Sequence, residues 1–238
     1  MKTANDFSIF PCGDRAITIQ WGNGISLAAN QKVMALFHSL QRNPVSGVDD
    51  MVPAYHSLTV CYDPVQLKKK TPDASAYALI RQQLVERAGL LPETILPASR
   101  LMRIPVCYAE AFAPDLAPLA ALHGISSEEV IAIHSTTRYR VYMIGFLPGF
   151  PYMATVDKKI QTPRLAKPRT RVPAGAVGIA GAQTGIYPSD SPGGWQLIGQ
   201  TPLKLFDVTK DNPVLLQPGD EVQFYPITIE AFKTFRNT

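Results

Sequence analysis

The amino-acid sequence predicts an α+β protein with two domains, an N-terminal small two-layer α/β sandwich and a C-terminal domain of short strands. Its 238 residues exceed the ~100–150 of a typical single domain. The first hundred residues alternate strand and helix patterns. Glycine and proline then make up 17 of the 73 residues from 134 to 206. Short apolar runs between such turn residues are typical of a β-barrel or β-sandwich.

The predicted elements of the first domain follow the order β-α-β-α-β. Residues 16–21 are rich in strand formers. A helix is predicted over 26–40, because a capping serine precedes apolar residues at i, i+3, i+4 and i+7. Strand formers at 58–62 predict a second strand. A Thr-Pro pair predicts the start of a helix over 71–89, and a strand over 101–108 closes the domain.

Two helices and a set of short strands are predicted next. One helix covers 113–124 and ends at glycine. The other begins with the capping box Ser126-Ser127-Glu128-Glu129 and ends near His134. The apolar runs predicted as strands are 139–144, 176–180, 195–198, 203–206, 214–216 and 221–225.

Composition excludes several classes of protein. Charged residues are only 18% and hydrophobic residues 46%, which excludes a disordered chain. No apolar run approaches the ~20 residues of a membrane span, and the N-terminus lacks the apolar stretch of a secretory signal. The cysteines Cys12, Cys61 and Cys107 form no C-x-x-C pair, so we expect a reduced, cytoplasmic location. The four histidines show no ligand spacing, and no metal site is predicted.

Positive charge is concentrated in one segment. Residues 134–206 contain nine Lys or Arg and two Asp, and residues 158–189 contain six basic residues and no acidic one. This asymmetry predicts an anionic partner: a small carboxylate, a phosphate or an acidic protein surface. Nucleic acid is not favoured, because no recognition motif is present. A solvated basic face is the alternative interpretation.

One loop in this segment interleaves aromatic rings with glycine and proline. Such a loop is stiff and presents rings and backbone N–H groups, which suits a pocket wall. A tight barrel corner with core aromatics is the alternative. The candidate loop residues are Gly145, Phe146, Pro148, Gly149, Phe150, Pro151 and Tyr152.

Downstream of the loop, arginines alternate with prolines that hold the chain extended. A guanidinium recognises a carboxylate or phosphate with two parallel hydrogen bonds, so these arginines are candidate anion ligands. Glycine-rich turns add an amide, a hydroxyl and an indole. Asp190 is interpreted as a turn residue, and no catalytic residue is assigned. The candidate substrate- or anion-binding residues are Arg164, Arg169, Arg171, Gln183, Ser191 and Trp195.

Specific motifs in both halves carry a family resemblance. The chain resembles the carboxyltransferase-type subunit 1 family, which includes the B subunit of bacterial 5-oxoprolinase, allophanate hydrolase subunit 1 and Kip-type inhibitors of histidine kinases. One segment departs from the family pattern: Ala109-Glu110-Ala111-Phe112-Ala113-Pro114-Asp115-Leu116 stands where Gly-Gly-Glu-Phe-Gly-Pro-Asp-Leu is frequent. The motifs that resemble the family are residues 13–15, 55–58, 63–64, 145–152, 169–175, 178–181, 183–188 and 191–199.

The resemblance implies a fold and a function. It implies an N-terminal α/β domain and a C-terminal cyclophilin-like β-barrel, and the change in composition places these domains at 1–97 and 98–238. It also implies the B subunit of an ATP-dependent 5-oxoprolinase, a cyclic amide hydrolase that converts 5-oxo-L-proline (pyroglutamate) to L-glutamate together with the A and C subunits. The C subunit is related to allophanate hydrolase subunit 2. ATP, with Mg²⁺, is expected at a site shared with the partner subunit. Neither nucleic acid nor a membrane is expected as a partner. The alternatives are a non-enzymatic histidine kinase inhibitor and subunit 1 of an allophanate hydrolase.

Overall fold

The chain forms two compact units, Met1–Ala98 and Ser99–Thr238. A computed structural model describes residues 6–71, 73–91 and 99–236. The domain boundary predicted between residues 97 and 98 lies outside the described residues. Each unit has its own hydrophobic core.

Within its described residues, the first unit is a four-stranded antiparallel sheet with three helices. Its sheet order is β1-β2-β4-β3, so the two most buried strands, β2 and β4, occupy the centre. The alternation along β4 buries Leu58, Val60 and Tyr62, as expected for a sheet with one face packed against helices. The elements are β1 (Ser8–Pro11), β2 (Ala16–Gln20), α1 (Leu27–Arg42), β3 (Val48–Pro53), β4 (Ser57–Tyr62), α2 (Pro64–Lys70) and α3 (Ala76–Gly89).

Local capping explains where these helices begin. The Ser26 hydroxyl accepts a hydrogen bond from the backbone N–H of Ala29 at the start of α1, as predicted. The prediction of α3 was wrong at its N-terminus: the helix begins at Ala76, and the proposed N1 residue Pro72 lies outside the described residues. Asp63, predicted only to end a strand, caps α2 by accepting from the backbone N–H groups of Val65 and Gln66.

The second unit is built around a seven-stranded sheet of order β12-β9-β10-β7-β6-β13-β5. All its pairs are antiparallel except β13 with β5. Strands β8 and β11 form a separate two-stranded ribbon. The elements are β5 (Leu101–Val106), α4 (Leu116–His123), α5 (Ser127–Thr136), β6 (Arg138–Ile144), β7 (Pro151–Ala154), β8 (Arg169–Val172), β9 (Ala176–Ala180), β10 (Gln183–Ile186), β11 (Ser191–Gly193), β12 (Gln196–Gln200), β13 (Glu221–Pro226) and α6 (Ile229–Arg236).

The two edge strands of this sheet meet and nearly close it into a barrel. Cys107 follows β5 and forms an antiparallel bridge with Gln200, the last residue of β12. The backbone N–H of Cys107 donates to the Gln200 carbonyl at 2.8 Å, and the N–H of Gln200 donates back at 3.0 Å. Barrel closure pairs backbone N–H and C=O groups of the edge strands, which could otherwise pair with another chain and cause aggregation. The predicted α+β class, a small α/β sandwich followed by a barrel, is confirmed.

Several element predictions for the second half needed correction. The strand predicted over 101–108 to close the first domain is β5 of the barrel, where it pairs in parallel with β13. The segments 203–206 and 214–216 are not strands and contribute only an isolated bridge between Phe206 and Val214. No single helix in the described ranges is long and apolar enough to span a membrane; only α4 and α5 together, bent by 96°, reach the required length and composition.

A buried histidine joins helix α5 to the barrel. The Thr184 hydroxyl donates to the Gly178 carbonyl at 3.0 Å, so it accepts from His134 Nε2 at 3.1 Å. The Tyr108 hydroxyl then donates to His134 Nδ1 at 2.9 Å. Complete burial lowers the pKa of His134 to about 3, so the imidazole stays neutral. His134 is therefore a hydrogen-bonded core residue.

Candidate functional site

The loop between β6 and β7 closes on itself. The backbone N–H of Leu147 donates to the Gly145 carbonyl at 2.8 Å, and that of Phe150 donates to the Leu147 carbonyl at 3.0 Å. These turns place Phe146 at φ +66° and Gly149 at φ +84°. A phenylalanine in this left-handed region is uncommon, and such strain often accompanies a functional position.

Aromatic rings from this loop and from the β10–β12 region form one packed group. Phe150 lies at its centre and is 1% exposed. Its ring centroid lies 4.8 Å from that of Tyr152, 5.2 Å from Tyr187 and 5.4 Å from Trp195. Phe146 is 61% exposed and stands edge-on to Phe150, with the centroids 5.7 Å apart. We call Phe146, Phe150, Tyr152, Tyr187 and Trp195 the aromatic cluster.

Glycines make room for these rings. A Cβ on Gly185 would lie 2.8 Å from Phe150 Cζ, and a Cβ on Gly193 would collide with the Tyr187 hydroxyl. The Tyr187 hydroxyl also accepts a hydrogen bond from the Trp195 backbone N–H. The glycine-rich turns of the sequence are thus needed for close aromatic packing, which no spacing argument predicted.

Arg164 is attached to the edge of the aromatic cluster. The segment around it is tied down on both sides, because the Leu165 N–H donates to the Gly194 carbonyl and the Gln196 side chain donates to the Pro163 carbonyl. Its guanidinium carbon lies 5.8 Å from the centre of the Trp195 ring, a cation–π distance. Within the described residues Arg164 is exposed and has no ion-pair partner.

Arg169 is partly buried and paired with a buried carboxylate. Its Nη2 lies 2.6 Å from Asp115 Oδ1, and the side chains are 30% and 10% exposed. The other oxygen of Asp115 accepts from the Leu197 N–H at 2.6 Å. The second terminal nitrogen of Arg169, Nη1, is buried and has no hydrogen-bond partner within the described residues. A buried donor without a partner is uncommon in folded proteins and marks a position where a ligand or a water molecule could bind.

Arg171 lies on the same strand but in a different setting. Its guanidinium pairs with Asp190 at 2.7 Å, and the side chains are 80% and 46% exposed. Asp190 also accepts from the Ala174 N–H, and that bond, with Arg171, lowers the pKa of its carboxyl group. Asp190 thus connects two turns through its bonds to Ala174 and Arg171, as a turn residue does. The guanidinium of Arg171 is paired with this carboxylate.

The remaining candidates are placed as follows. Ser191 begins β11, and its hydroxyl donates to the Pro192 carbonyl at 3.2 Å. Gln183 begins β10 and pairs in register with Ala154 of β7 and Ala180 of β9. Pro148 is exposed at the loop tip, and Pro151 is the buried first residue of β7. The arginines and aromatic residues thus form the candidate site, with Ser191 and Gln183 on adjoining strands.

The electrostatics of the cluster are those of a neutral aromatic surface beside cations. Burial raises the pKa of Tyr152, and the charge of Arg164 partly offsets this. Burial also raises the pKa of Tyr187, offset by the Trp195 N–H bond and by Arg164 and Arg169. Both phenols therefore stay protonated at neutral pH. Among the described residues no group of three or more His, Cys, Asp or Glu could hold a metal ion. The arrangement can bind an anion with an apolar body.

Sequence reasoning missed Asp115. It lies 54 residues before Arg169, in the segment that departs from the family pattern, and outside the basic region. Its signal was weak: an aspartate after proline at a helix start reads as a cap. In the structure its carboxylate makes no capping bond to α4 and reaches the barrel instead.

Comparison with known proteins now places the chain in a class. The family model described as carboxyltransferase domain, subdomain C and D matches residues 7–216, so the chain belongs to this family. It is 40% identical to the 5-oxoprolinase B subunit of Bacillus subtilis (strain 168) over 97% of both chains. It is also 40% identical to the 5-oxoprolinase B subunit of Escherichia coli O157:H7, over 90% of this chain and 93% of that protein. The family resemblance predicted from the motifs is confirmed.

Larger proteins contain a similar region. The crystal structure of TTHA0988 matches with a TM-score of 0.76 and 40% identity. The match covers 90% of the present chain but only 40% of the TTHA0988 chain. Urea amidolyase of Saccharomyces cerevisiae is 25% identical over 92% of this chain, which spans 13% of that enzyme. The same fold unit thus occurs alone and as one part of longer chains.

Proposed function

We propose that this chain is the B subunit of an ATP-dependent 5-oxoprolinase and that it contributes the aromatic cluster and its arginines to substrate binding. The observation that supports this most directly is the 40% identity to a protein named as the B subunit of 5-oxoprolinase over 97% of both lengths. The name implies a complex of several subunits. We propose the A and C subunits as the partners, and the cytoplasm as the location.

The substrate, 5-oxo-L-proline, fits the chemistry of the candidate site. Its carboxylate suits Arg164 and the unpaired Nη1 of Arg169, because charge-assisted bonds from guanidinium to carboxylate are among the strongest in proteins. Its five-membered lactam ring is nearly flat, and the methylene edge of that ring suits the faces of Tyr152 and the exposed ring of Phe146. The chain's own residues then bind and orient the substrate, and no residue here is assigned to bond cleavage.

ATP enters the proposal through the partner subunit. When bound, ATP supplies the free energy that opening an unstrained cyclic amide requires. The candidate site of this chain offers arginines that suit phosphate groups, and the described residues contain no group of three or more His, Cys, Asp or Glu for a metal ion. We therefore propose that ATP and Mg²⁺ are held mainly by the partner, with the second unit of this chain at the shared boundary.

The test is release of glutamate from 5-oxoproline by the A and C subunits, with and without this chain. We expect ATP-dependent release only when all three are present, no turnover by the isolated chain, and co-purification with the C subunit. Turnover by the pure chain would refute the shared site. Equal rates with and without the chain would refute its role in the complex.

A second candidate function is subunit 1 of an allophanate hydrolase. The resemblance to urea amidolyases favours it, although the chain spans only 13% of the yeast enzyme. The same assembled complex offered allophanate in place of 5-oxoproline separates the two functions. We expect hydrolysis of 5-oxoproline and none of allophanate.

A further inference from the structure

We infer that Asp115 is a positioning residue: it holds Arg169 so that one nitrogen of its guanidinium faces the substrate carboxylate. This inference rests on the proposed function and assigns a role to a residue outside the basic segment. Asp115 has no capping bond to its own helix. Its two carboxylate oxygens are used instead on Arg169 Nη2 and on the Leu197 N–H, both at 2.6 Å.

The contacts of Asp115 fix the guanidinium to rigid elements. Its backbone N–H donates to the Leu197 carbonyl at 2.9 Å while its side chain accepts from the Leu197 N–H, so the start of α4 is locked to β12. Arg169 opens β8 and pairs in register with Gly193 of β11. The guanidinium is therefore held between α4, β12 and the β8–β11 ribbon. Binding groups held by regular elements are placed more accurately than groups on loops.

This orientation distinguishes the two terminal nitrogens of Arg169. Nη2 is used by Asp115, whereas Nη1 is buried without a partner in the described part of the chain. A buried donor is costly to leave unpaired, so an arrangement that a rigid carboxylate maintains indicates that a ligand completes it. Arg164 also lies near this region: its guanidinium is 5.8 Å from the Trp195 ring, and the charges of both arginines oppose the burial-induced rise in the pKa of Tyr187.

The chain supplies a matched control on the same strand. Arg171 also pairs with an aspartate, Asp190, at a similar distance of 2.7 Å. That pair is exposed, whereas Asp115 is 7% exposed as a whole residue. Because an exposed pair contributes little to stability, Asp190→Asn shows how KM responds when an arginine of this strand loses a surface carboxylate. If Asp115 positions a ligand-binding group, the two pairs differ in this response.

The experiment measures KM for 5-oxoproline and kcat in the complex with the A and C subunits. For Asp115→Asn the new amide oxygen keeps the bond to the Leu197 N–H, while the amide nitrogen cannot accept from Arg169. We expect KM to rise about 10- to 150-fold, the loss of one charge-assisted bond, with a much smaller change in kcat. Asp190→Asn is expected to leave KM unchanged.

Two further variants keep the test decisive. Arg169→Lys leaves Asp115 and its bonds to Leu197 in place, so it is informative even if Asp115→Asn fails to assemble, and it should raise KM to a similar degree. The double variant should be no worse than the worse single one, because both remove the same contact.

The outcomes separate the inference from the proposed function. A wild-type complex that releases no glutamate overturns both. Wild-type turnover with an unchanged KM in Arg169→Lys, or with additive losses in the double variant, overturns the role of Asp115 alone. A lower melting temperature in Asp115→Asn with an unchanged KM would also overturn it, because that is the signature of a purely structural pair.

Discussion

Replacing Phe150 and Phe146 by alanine, one at a time, decides between the two interpretations of the loop at residues 145–152. Both rings belong to the same turn, but Phe150 is 1% exposed and Phe146 is 61% exposed. A fully buried Phe→Ala change costs about 3–5 kcal/mol through lost burial and the cavity left behind. For a unit of this size that corresponds to a fall of about 10 °C in melting temperature. An exposed Phe→Ala change is expected to alter stability by less than about 0.5 kcal/mol.

The assay pairs thermal melting of each variant with KM for 5-oxoproline in the assembled complex. We expect Phe150→Ala to lose stability and Phe146→Ala to keep it while raising KM, because the left-handed backbone at φ +66° holds this ring outward. If Phe146→Ala leaves both stability and KM unchanged, the loop is a barrel corner only. If Phe150→Ala melts like the wild type, the packing argument is refuted.

Two further predictions concern packing and pH. Gly193→Ala should cost about 1–3 kcal/mol, because the new Cβ meets the buried Tyr187 hydroxyl. Gly194→Ala, whose Cβ would meet only Pro168 at 3.5 Å, is the control, and equal urea midpoints would contradict the steric argument. The pKa of His134 is about 3 when folded and 6.5 in the unfolded chain, so only the unfolded state takes up a proton between these values. The free energy of unfolding should therefore decrease as the pH falls below 6.5, by up to about 1.4 kcal/mol per pH unit more than in His134→Gln. Urea unfolding of both proteins at pH 7, 6 and 5 measures this difference. The same pH dependence in both proteins would contradict the prediction.

Local signals in the sequence predicted elements wherever a few neighbouring residues determine them. The cap at Ser126 and the glycine at Gly124, which adopts φ +65°, delimit α4 and α5 as expected. Strand β3 was missed because two aspartates, Asp49 and Asp50, follow its first residue, and an edge strand does not need apolar alternation. Strand β3 therefore has the backbone geometry of a strand but lacks the alternation of apolar and polar residues by which a strand is predicted.

The pairing of barrel strands that are distant in sequence could not be predicted from local patterns. Strand β5 has an ordinary strand composition, and nothing near it in sequence says which sheet it joins. Its partner β13 lies 120 residues further on, in the register Glu221 opposite Leu101. The choice between the two sheets depends on burial in the final fold, so the element pattern grouped β5 with the first domain, although the predicted boundary after residue 97 left it in the second.

The same limit applies to the candidate site, and it explains why three arginines of similar sequence context have different roles. Arg164, Arg169 and Arg171 all lie among prolines in a segment without acids, which predicted three equivalent anion ligands. The fold brings Asp190 to Arg171 at the surface and Asp115 to Arg169 in a buried position, and it leaves Arg164 stacked on Trp195. A carboxylate beside an exposed arginine neutralises it, because water already satisfies its other donors. A carboxylate beside a buried arginine fixes the orientation of its guanidinium, and in this chain it leaves the buried Nη1 of Arg169 without a partner among the described residues. Burial of the acid therefore distinguishes the arginine that is held at a surface turn from the one that we propose binds the substrate.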